Sequence, residues 1–444
     1  MDSVILAKIQ FGFTAGFHFL FPPTTFGLTF IILIFESLYL KSKNELYKII
    51  SSFLIKLLSV IFVLGVATGI VLEFAFGNNW SEYARTVGDV FGAPLAAEGI
   101  FAFFLESVFL GILIFGRNRV SRRVYWWSAF LVFFAAHLSG LWIIIANSWM
   151  QTPAGFKLME GRAVLTNFFQ AAFNPSTIIR FLHTVIAGWI TGSLFIAGIA
   201  SWYLLKNKYI NKAKPILQTA LIIFSISALL QLGSGHIHSV QVAETQPEKM
   251  AAFEALWETE TGAPFAVFGI PDGKNQKTYL SIKIPNFLSL LIYMDPKAEV
   301  SGLNSFPEEE RPPVFLPFIS YHFMILFGLL FVLAALIALY LLLRKKLWHS
   351  KWFLRFLLFL LPLAYLSNEF GWMATEVGRQ PWAVYKLLRT SDAVSTVVPA
   401  GNVLFSLIFF ILLYALIGTI GILVLINTIK QGPEESISVG NDGG

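Results

Sequence analysis

Hydrophobic residues run along this chain in blocks too long for the core of a water-soluble fold. Stretches without Asp, Glu, Lys or Arg extend from Ile9 to Phe35, Val124 to Phe156, Phe181 to Leu205, Pro215 to Ala243, Pro312 to Leu343 and Ala393 to Ile429. Each exceeds the ~20 residues needed to cross a bilayer. Three further apolar segments carry isolated charges: 52–75 with Lys56 and Glu73, 92–116 with Glu98 and Glu106, and 352–374 with Arg355 and Glu369. The pattern predicts an all-α integral membrane protein with nine transmembrane helices, at 10–37, 50–75, 92–116, 124–148, 177–205, 214–236, 317–343, 352–374 and 400–428. Pro22 and Pro23, flanked by Gly12, Gly16 and Gly27, predict a kink in the first.

The one long polar interval, 237–316, divides the chain into a helical region 1–236, an outer loop and a second helical region 317–444. Within it, Gln246 to Thr259 reads as a short amphipathic helix after Pro247, and Pro307 to Pro313 as loop. Composition agrees with the spans: 13% of residues are charged, against about 25% in soluble chains. The absence of cysteine excludes disulfides, cysteine-ligated clusters, c-type haem attachment and a thiol nucleophile.

The net charge of +6 resides in loops, not in a nucleic-acid surface. Lys41, Lys43 and Lys48; Arg117, Arg119, Arg122 and Arg123; Lys206, Lys208, Lys212 and Lys214; and Arg344, Lys345, Lys346 and Lys351 all fall on one side of the predicted membrane. The positive-inside rule makes that side cytoplasmic, with the N-terminus outside and the C-terminus inside. Met1-Asp2-Ser3 lacks the basic start of a signal peptide, so the first span is expected to be retained.

Ionisable side chains within a bilayer are costly and mark function. His18, His183 and Met324 are predicted at one depth, roughly 9–12 Å below the outer helix ends at 1.5 Å per residue. A His/Met pair suits a six-coordinate, low-spin haem iron; interhelical hydrogen bonds for the histidines and simple packing for the methionine are the plainer alternatives. Glu98 and Glu106, eight residues apart, project within about 80° of each other on an α-helix. Either is a proton relay, an anionic metal ligand or a packed neutral acid. At the outer end of the eighth helix, Gly371-Trp372-Met373-Ala374-Thr375-Glu376-Val377-Gly378-Arg379-Gln380-Pro381-Trp382 puts Glu376 and Arg379 on one face. Arg379 there suits a haem propionate, a quinone oxygen or an interfacial salt bridge.

This segment, with Gly65-Val66-Ala67-Thr68-Gly69, Phe91-Gly92-Ala93-Pro94-Leu95 and Lys249 to Thr259, resembles subunit I of the cytochrome bd quinol oxidase family across all nine spans. The expected arrangement is two four-helix bundles plus one peripheral helix. The resemblance implies that His183 and Met324 ligate low-spin haem b. His18 and Glu376 match the axial ligands of the two high-spin haems, one haem b and one haem d or a haem b in its place, with Glu98 at that centre. Lys249 and Glu254 match the quinol site, Trp372 and Arg379 a charged cluster, and Glu106, Ser107 and Ser139 a proton path. It implies quinol oxidation outside, oxygen reduction with protons from the cytoplasm, no separate pump, and a bacterial cytoplasmic-membrane location. The partners implied are subunit II and a small single-span subunit.

Two features depart from the family's best-known form. An arginine two residues before the haem methionine is His322 here, and the outer loop lacks a long insertion. His236 and His238, expected near the loop's start, are further quinol or metal candidates or plain surface histidines. A secondary transporter, which would bind no stoichiometric haem, and a non-catalytic haem-binding subunit, which would lack quinol-dependent oxygen uptake, are the rival readings.

Overall fold

The computed structural model describes residues 2–433. Among them nine spans are long and apolar enough to cross a membrane. The first is broken into α1 (Ser3–Phe19) and α2 (Phe21–Ser42), because Pro22 and Pro23 lack the N–H groups that would bond the carbonyls of His18 and Phe19. α1 starts earlier than the apolar run, with the Asp2 side chain capping it by accepting from the Val4 N–H at 3.2 Å. His18 is therefore fifteen residues from the helix start, about 22 Å along the axis. His183 is six and Met324 nine residues into their helices, so the common depth expected of the three does not hold along their helices.

α3 (Glu45–Asn78) is the second span. The third is composite: α4 (Ser81–Ala97), a π-helical turn (Glu98–Phe103) and α5 (Phe104–Phe115). α6 (Arg122–Gln151) follows, then an outer hairpin of β1 (Phe156–Met159) and β2 (Arg162–Leu165) with the short α7 (Phe168–Ala172). α8 (Thr177–Leu205) and α9 (Ile210–Thr245) form the next pair. α9 runs nine residues past the expected 236, because its polar end has tertiary partners: Gln241 donates to Ser176 Oγ at 3.1 Å, and Ser239 and Tyr321 share a hydrogen bond of 3.3 Å. His236 and His238 thus lie on a helix, not in a loop.

The outer segment begins with α10 (Pro247–Glu254), the short helix the sequence predicts. It continues with β3 (Glu260–Thr261), the hairpin β4 (Phe265–Asp272) and β5 (Lys277–Ile284), α11 (Phe287–Tyr293) and β6 (Glu299–Val300), which pairs back on β3. A single 3-10 turn, Glu308–Glu310, interrupts the expected loop there. α12 (Phe315–Leu343) and α13 (Lys351–Val377) return through the membrane. β7 (Trp382–Val384), β8 (Leu388–Arg389) and α14 (Thr390–Ala393) lead to α15 (Ala400–Gln431).

α8 is central, packed against α2, α6, α9 and α13. Its approach to α2 is backbone to backbone: a Cβ on Gly27 would stand 2.7 Å from Gly192 Cα, and one on Gly188 would stand 2.6 Å from the Phe26 ring. At the end of α2 a buried ion pair ties three spans, Arg117 forking onto Glu36 at 2.6 and 3.0 Å, with Ser51 also bonded to Glu36. The Arg117 guanidinium lies 3.9 Å from the Tyr125 ring centroid, which shares the cost of burying its charge. α15 rests on α1 and α3, through Gln10 to Ser406 at 2.9 Å and Tyr414 stacked on Phe17 at 4.7 Å. Tyr203 and Tyr209 donate at 2.6 Å to the last carbonyls of α15, those of Ile429 and Gln431.

Candidate haem and quinol sites

Two of the histidines rest Nδ1 on a hydroxyl of a neighbouring helix. His183 Nδ1 lies 3.1 Å from Ser234 Oγ, which also bonds the Gln231 carbonyl at 3.2 Å. His18 Nδ1 lies 3.0 Å from Thr68 Oγ1, which also bonds the Leu64 carbonyl at 2.8 Å. A hydroxyl that donates to its helix carbonyl can accept from Nδ1, an arrangement that would leave Nε2 with the lone pair a metal requires. The Gln231 amide lies 3.2 Å from both nitrogens of His183. His137, also in a span, differs: Phe133 O holds its Nδ1 at 2.7 Å and the Trp189 indole fills its Nε2 at 3.0 Å, a satisfied core histidine.

Glycines from neighbouring helices stand against these side chains. A Cβ on Gly69 would meet His18 at 3.1 Å, on Gly235 it would meet His183 at 3.5 Å, and on Gly371 it would meet Met324 Sδ at 3.1 Å. His238, one turn beyond Gly235, packs edge-on against His183 with centroids 5.3 Å apart, and its buried Nε2 has no protein partner.

A polar cluster gathers where α6, α8 and α13 meet α10. Glu376 Oε2 accepts from Arg379 at 2.5 Å, and Oε1 accepts from Asn147 at 3.1 Å and Gln151 at 3.5 Å. Arg180 donates to Asn147 and its guanidinium lies 5.9 Å from the Trp372 centroid. Lys249 Nζ donates to Gln151 Oε1 at 2.6 Å and Gln246 Oε1 at 2.5 Å. One hydrogen-bonded run therefore joins Lys249 on α10 through Gln151 on α6 to Glu376 and Arg379. Buried N–H groups left over in this cluster, Arg180 Nε, Arg379 Nη1 and Trp382 Nε1, are donors suited to carboxylate groups.

Glu254 leaves α10 in another direction. Its Oε2 accepts from the Ala266 N–H at 3.1 Å and stands 3.9 Å from His322 Nε2, while Oε1 has no partner. Five residues of helix separate it from Lys249, and the two side chains contact different elements. Burial pushes the Glu254 carboxyl up to about 8. Burial, then the nearby Arg180 and Arg379, holds the Lys249 ammonium well below the usual lysine range.

Deeper in the membrane, Ser139 donates to Glu98 Oε1 at 2.7 Å, and Glu73 and Glu106 both lie within electrostatic reach of Glu98. The π-helical turn winds less per residue than an α-helix, which swings Glu98 toward the line of Glu106 and closes the 80° gap expected of an unbroken α-helix. Ser107 takes no part in that contact; its hydroxyl returns to the Phe103 carbonyl at 2.8 Å. The sequence pattern marks Glu73 and Glu369 only as isolated charges and gives no role to Asn147, Gln151 or Arg180. The signal was present as polar residues in apolar runs, Asn147 and Gln151 one helical turn apart, while Glu369, two turns before Glu376, meets Gly16 of α1.

Nine spans, two histidines hydrogen-bonded through Nδ1 within them and a cluster of buried donors beside α10 are the parts of a membrane-embedded redox protein. The family model for cytochrome bd terminal oxidase subunit I matches residues 6–433, and the chain belongs to that family. It is 42% identical over 446 residues to cytochrome bd ubiquinol oxidase subunit 1 of Bacillus subtilis, covering 98% of this chain and 95% of the relative. It is 35% identical to cytochrome bd-II ubiquinol oxidase subunit 1 of Escherichia coli, covering 94% of each. The solved bd oxidase of Geobacillus thermodenitrificans superposes with a TM-score of 0.91 at 28% identity, over 97% of this chain and 99% of that one. The chain is thus a multi-pass bacterial membrane protein of the respiratory oxidases, and the transporter reading finds no support.

Proposed function

We propose that this chain is the haem-bearing subunit of a quinol:oxygen oxidoreductase, oxidising quinol at its outer face and reducing oxygen to water. The observation that carries the reading is the hydrogen-bonded run from Lys249 to Glu376 and Arg379, which links the outer helix α10 to the membrane cluster. His183, Met324, His18 and Glu376 offer imidazole, thioether and carboxylate donors of the kinds that suit haem iron. Haem iron, when bound, supplies the one-electron carriers between quinol and oxygen.

His183 and Met324 would hold low-spin haem b, with Ser234 fixing the imidazole and Gly371 leaving room at the sulfur. His18, held by Thr68, and Glu376 would hold the two high-spin haems, with Glu98 at the same centre; the pair is haem b with haem d or a second haem b. Arg379, Arg180 and Trp372 position propionates and the Glu376 carboxylate. At the quinol, Glu254 takes a proton and Lys249 donates a hydrogen bond to the other oxygen. Glu106, Ser107, Ser139 and Glu98 bring protons from the cytoplasmic side. The basic loops put the N-terminus outside, the C-terminus in the cytoplasm and the 246–314 segment outside. Subunit II, and a small single-span subunit, complete the complex.

The test is a dithionite-reduced minus oxidised spectrum of the purified complex followed by oxygen uptake with quinol. Stoichiometric haem and quinol-dependent uptake are expected. Haem without such uptake would leave only a non-catalytic haem-binding subunit.

A further inference from the structure

α10 carries a second buried acid beside Lys249. Glu248 is 3% exposed; its Oε1 accepts from the Tyr385 hydroxyl at 2.7 Å, and its buried Oε2 has no partner. Tyr385 lies half-buried between β7 and β8, its main-chain N–H anchored on the Met150 carbonyl at 2.9 Å. The Lys386 ammonium, itself exposed, lies 5.3 Å from its ring centroid. The charged groups that face the pair are Lys249 on α10, and Glu310 and Lys386 beside the tyrosine. No hydrogen bond or ion pair joins Lys249 to Glu248; the lysine is turned to Gln151 and Gln246. Here a carboxylate keeps one oxygen free in the interior and rests the other on the hydroxyl of a half-buried tyrosine. That arrangement can pass a proton outward, which a closed ion pair cannot.

We propose that Glu248 and Tyr385 form the exit by which a quinol proton reaches the outer surface. The inference rests on quinol being oxidised at α10. When the quinol O–H bond breaks, its electrons enter the oxidase and the proton goes to Glu248 Oε2. A half-turn of the carboxyl brings that O–H to the Tyr385 oxygen as the tyrosine O–H swings outward, and the oxygen accepts the proton while releasing its own to outside water. The proton just received lies between Tyr385 and the regenerated Glu248 carboxylate and restores the starting hydrogen bond.

Glu248→Gln tests this directly, because the amide oxygen still accepts from Tyr385 yet cannot carry a proton; Tyr385→Phe removes the hydroxyl. In the intact complex, with the reduced spectrum checking assembly, quinol-driven oxygen uptake and the quinol KM are measured beside uptake driven by an artificial donor that reduces the haems directly. Both variants should lose about tenfold or more in quinol-driven kcat, with KM near wild type and donor-driven uptake retained. Full activity in Glu248→Gln with loss only in Tyr385→Phe would show a structural latch and overturn the proposal, as would full activity in both or a parallel fall in both assays. Glu254→Gln, run alongside, separates the two levels. If it too oxidises quinol at full rate, the α10 site is wrong and the exit falls with it; if it alone is slow, the site stands and only the exit is refuted.

Discussion

At the scale of single residues, the hydroxyls beside His183 and His18 support the proposed haem ligation. Ser234 and Thr68 can each donate to a helix carbonyl and accept from Nδ1, which suits Nε2 of these histidines to a metal, whereas Nε2 of His137 accepts from the Trp189 indole. His183→Ala and Met324→Leu should each abolish the low-spin haem b band in the reduced spectrum while the complex still assembles. An unchanged band in both would refute the ligand pair. Glu254 gives a second expectation. Its carboxyl, pushed up to about 8 by burial, is mostly protonated at neutral pH and becomes a competent base only as pH rises. Quinol kcat/KM should therefore climb through about pH 8, since this parameter reports the free enzyme. Glu254→Gln should be slow and lack that inflection, and a wild-type profile that falls with pH would contradict the role. The proposed histidine and glutamate ligands were legible as rare polar groups in apolar helices. Their partners Ser234, Asn147 and Gln151 were not, because a serine or amide in a span is ordinary until its neighbour across the helix interface is known.

At the scale of elements, apolar length placed every span but misjudged several ends, that of α4 by eleven residues (Ser81 against 92). α1 and α9 continue where the hydrophobic run stops, because a cap at Asp2 and bonds from Gln241 and Ser239 serve backbone and side chains there. The π-helical turn was also hidden: six residues, Glu98 to Phe103, read as ordinary helix, and only the packing on α6 reveals the wider winding. The α2–α8 contact is more exacting. A methyl group on Gly192 would stand 2.6 Å from Gly27 Cα and 2.8 Å from the Thr24 carbonyl oxygen, both backbone atoms that cannot rotate away. Gly192→Ala should cost about 1–3 kcal/mol of overpacking, read as a lower thermal midpoint of the detergent-solubilised complex. Because α8 carries His183, the low-spin band should weaken in step. Gly12, with nothing within 4 Å of its added Cβ, is the control, and equal behaviour of the two alanine variants would refute the close-packing argument.

At the scale of the whole molecule, the carboxylates are laid out from one face to the other. Glu106 and Glu98 lie in the membrane, Glu376 in the outer cluster, and Glu254 and Glu248 beyond it. In the proposed mechanism, protons for water formation and protons from quinol use separate ends of the protein. Glu106→Gln removes a relay without touching a proposed ligand, so its reduced spectrum should persist while turnover falls. In sealed vesicles the intact complex should release protons outside in the same number as electrons passed, and absence of any charge separation would contradict the two-sided layout. The closure of α15 on α1 bears on biogenesis. α1 lies against α3, through Thr68 and Asn79, as well as against Ser406 and Tyr414 of α15. Until α15 is inserted, the face of α1 that carries Phe13 and Phe17 lacks its Tyr414 partner, although the proposed ligands His183, Met324 and Glu376 all precede α15 in the chain.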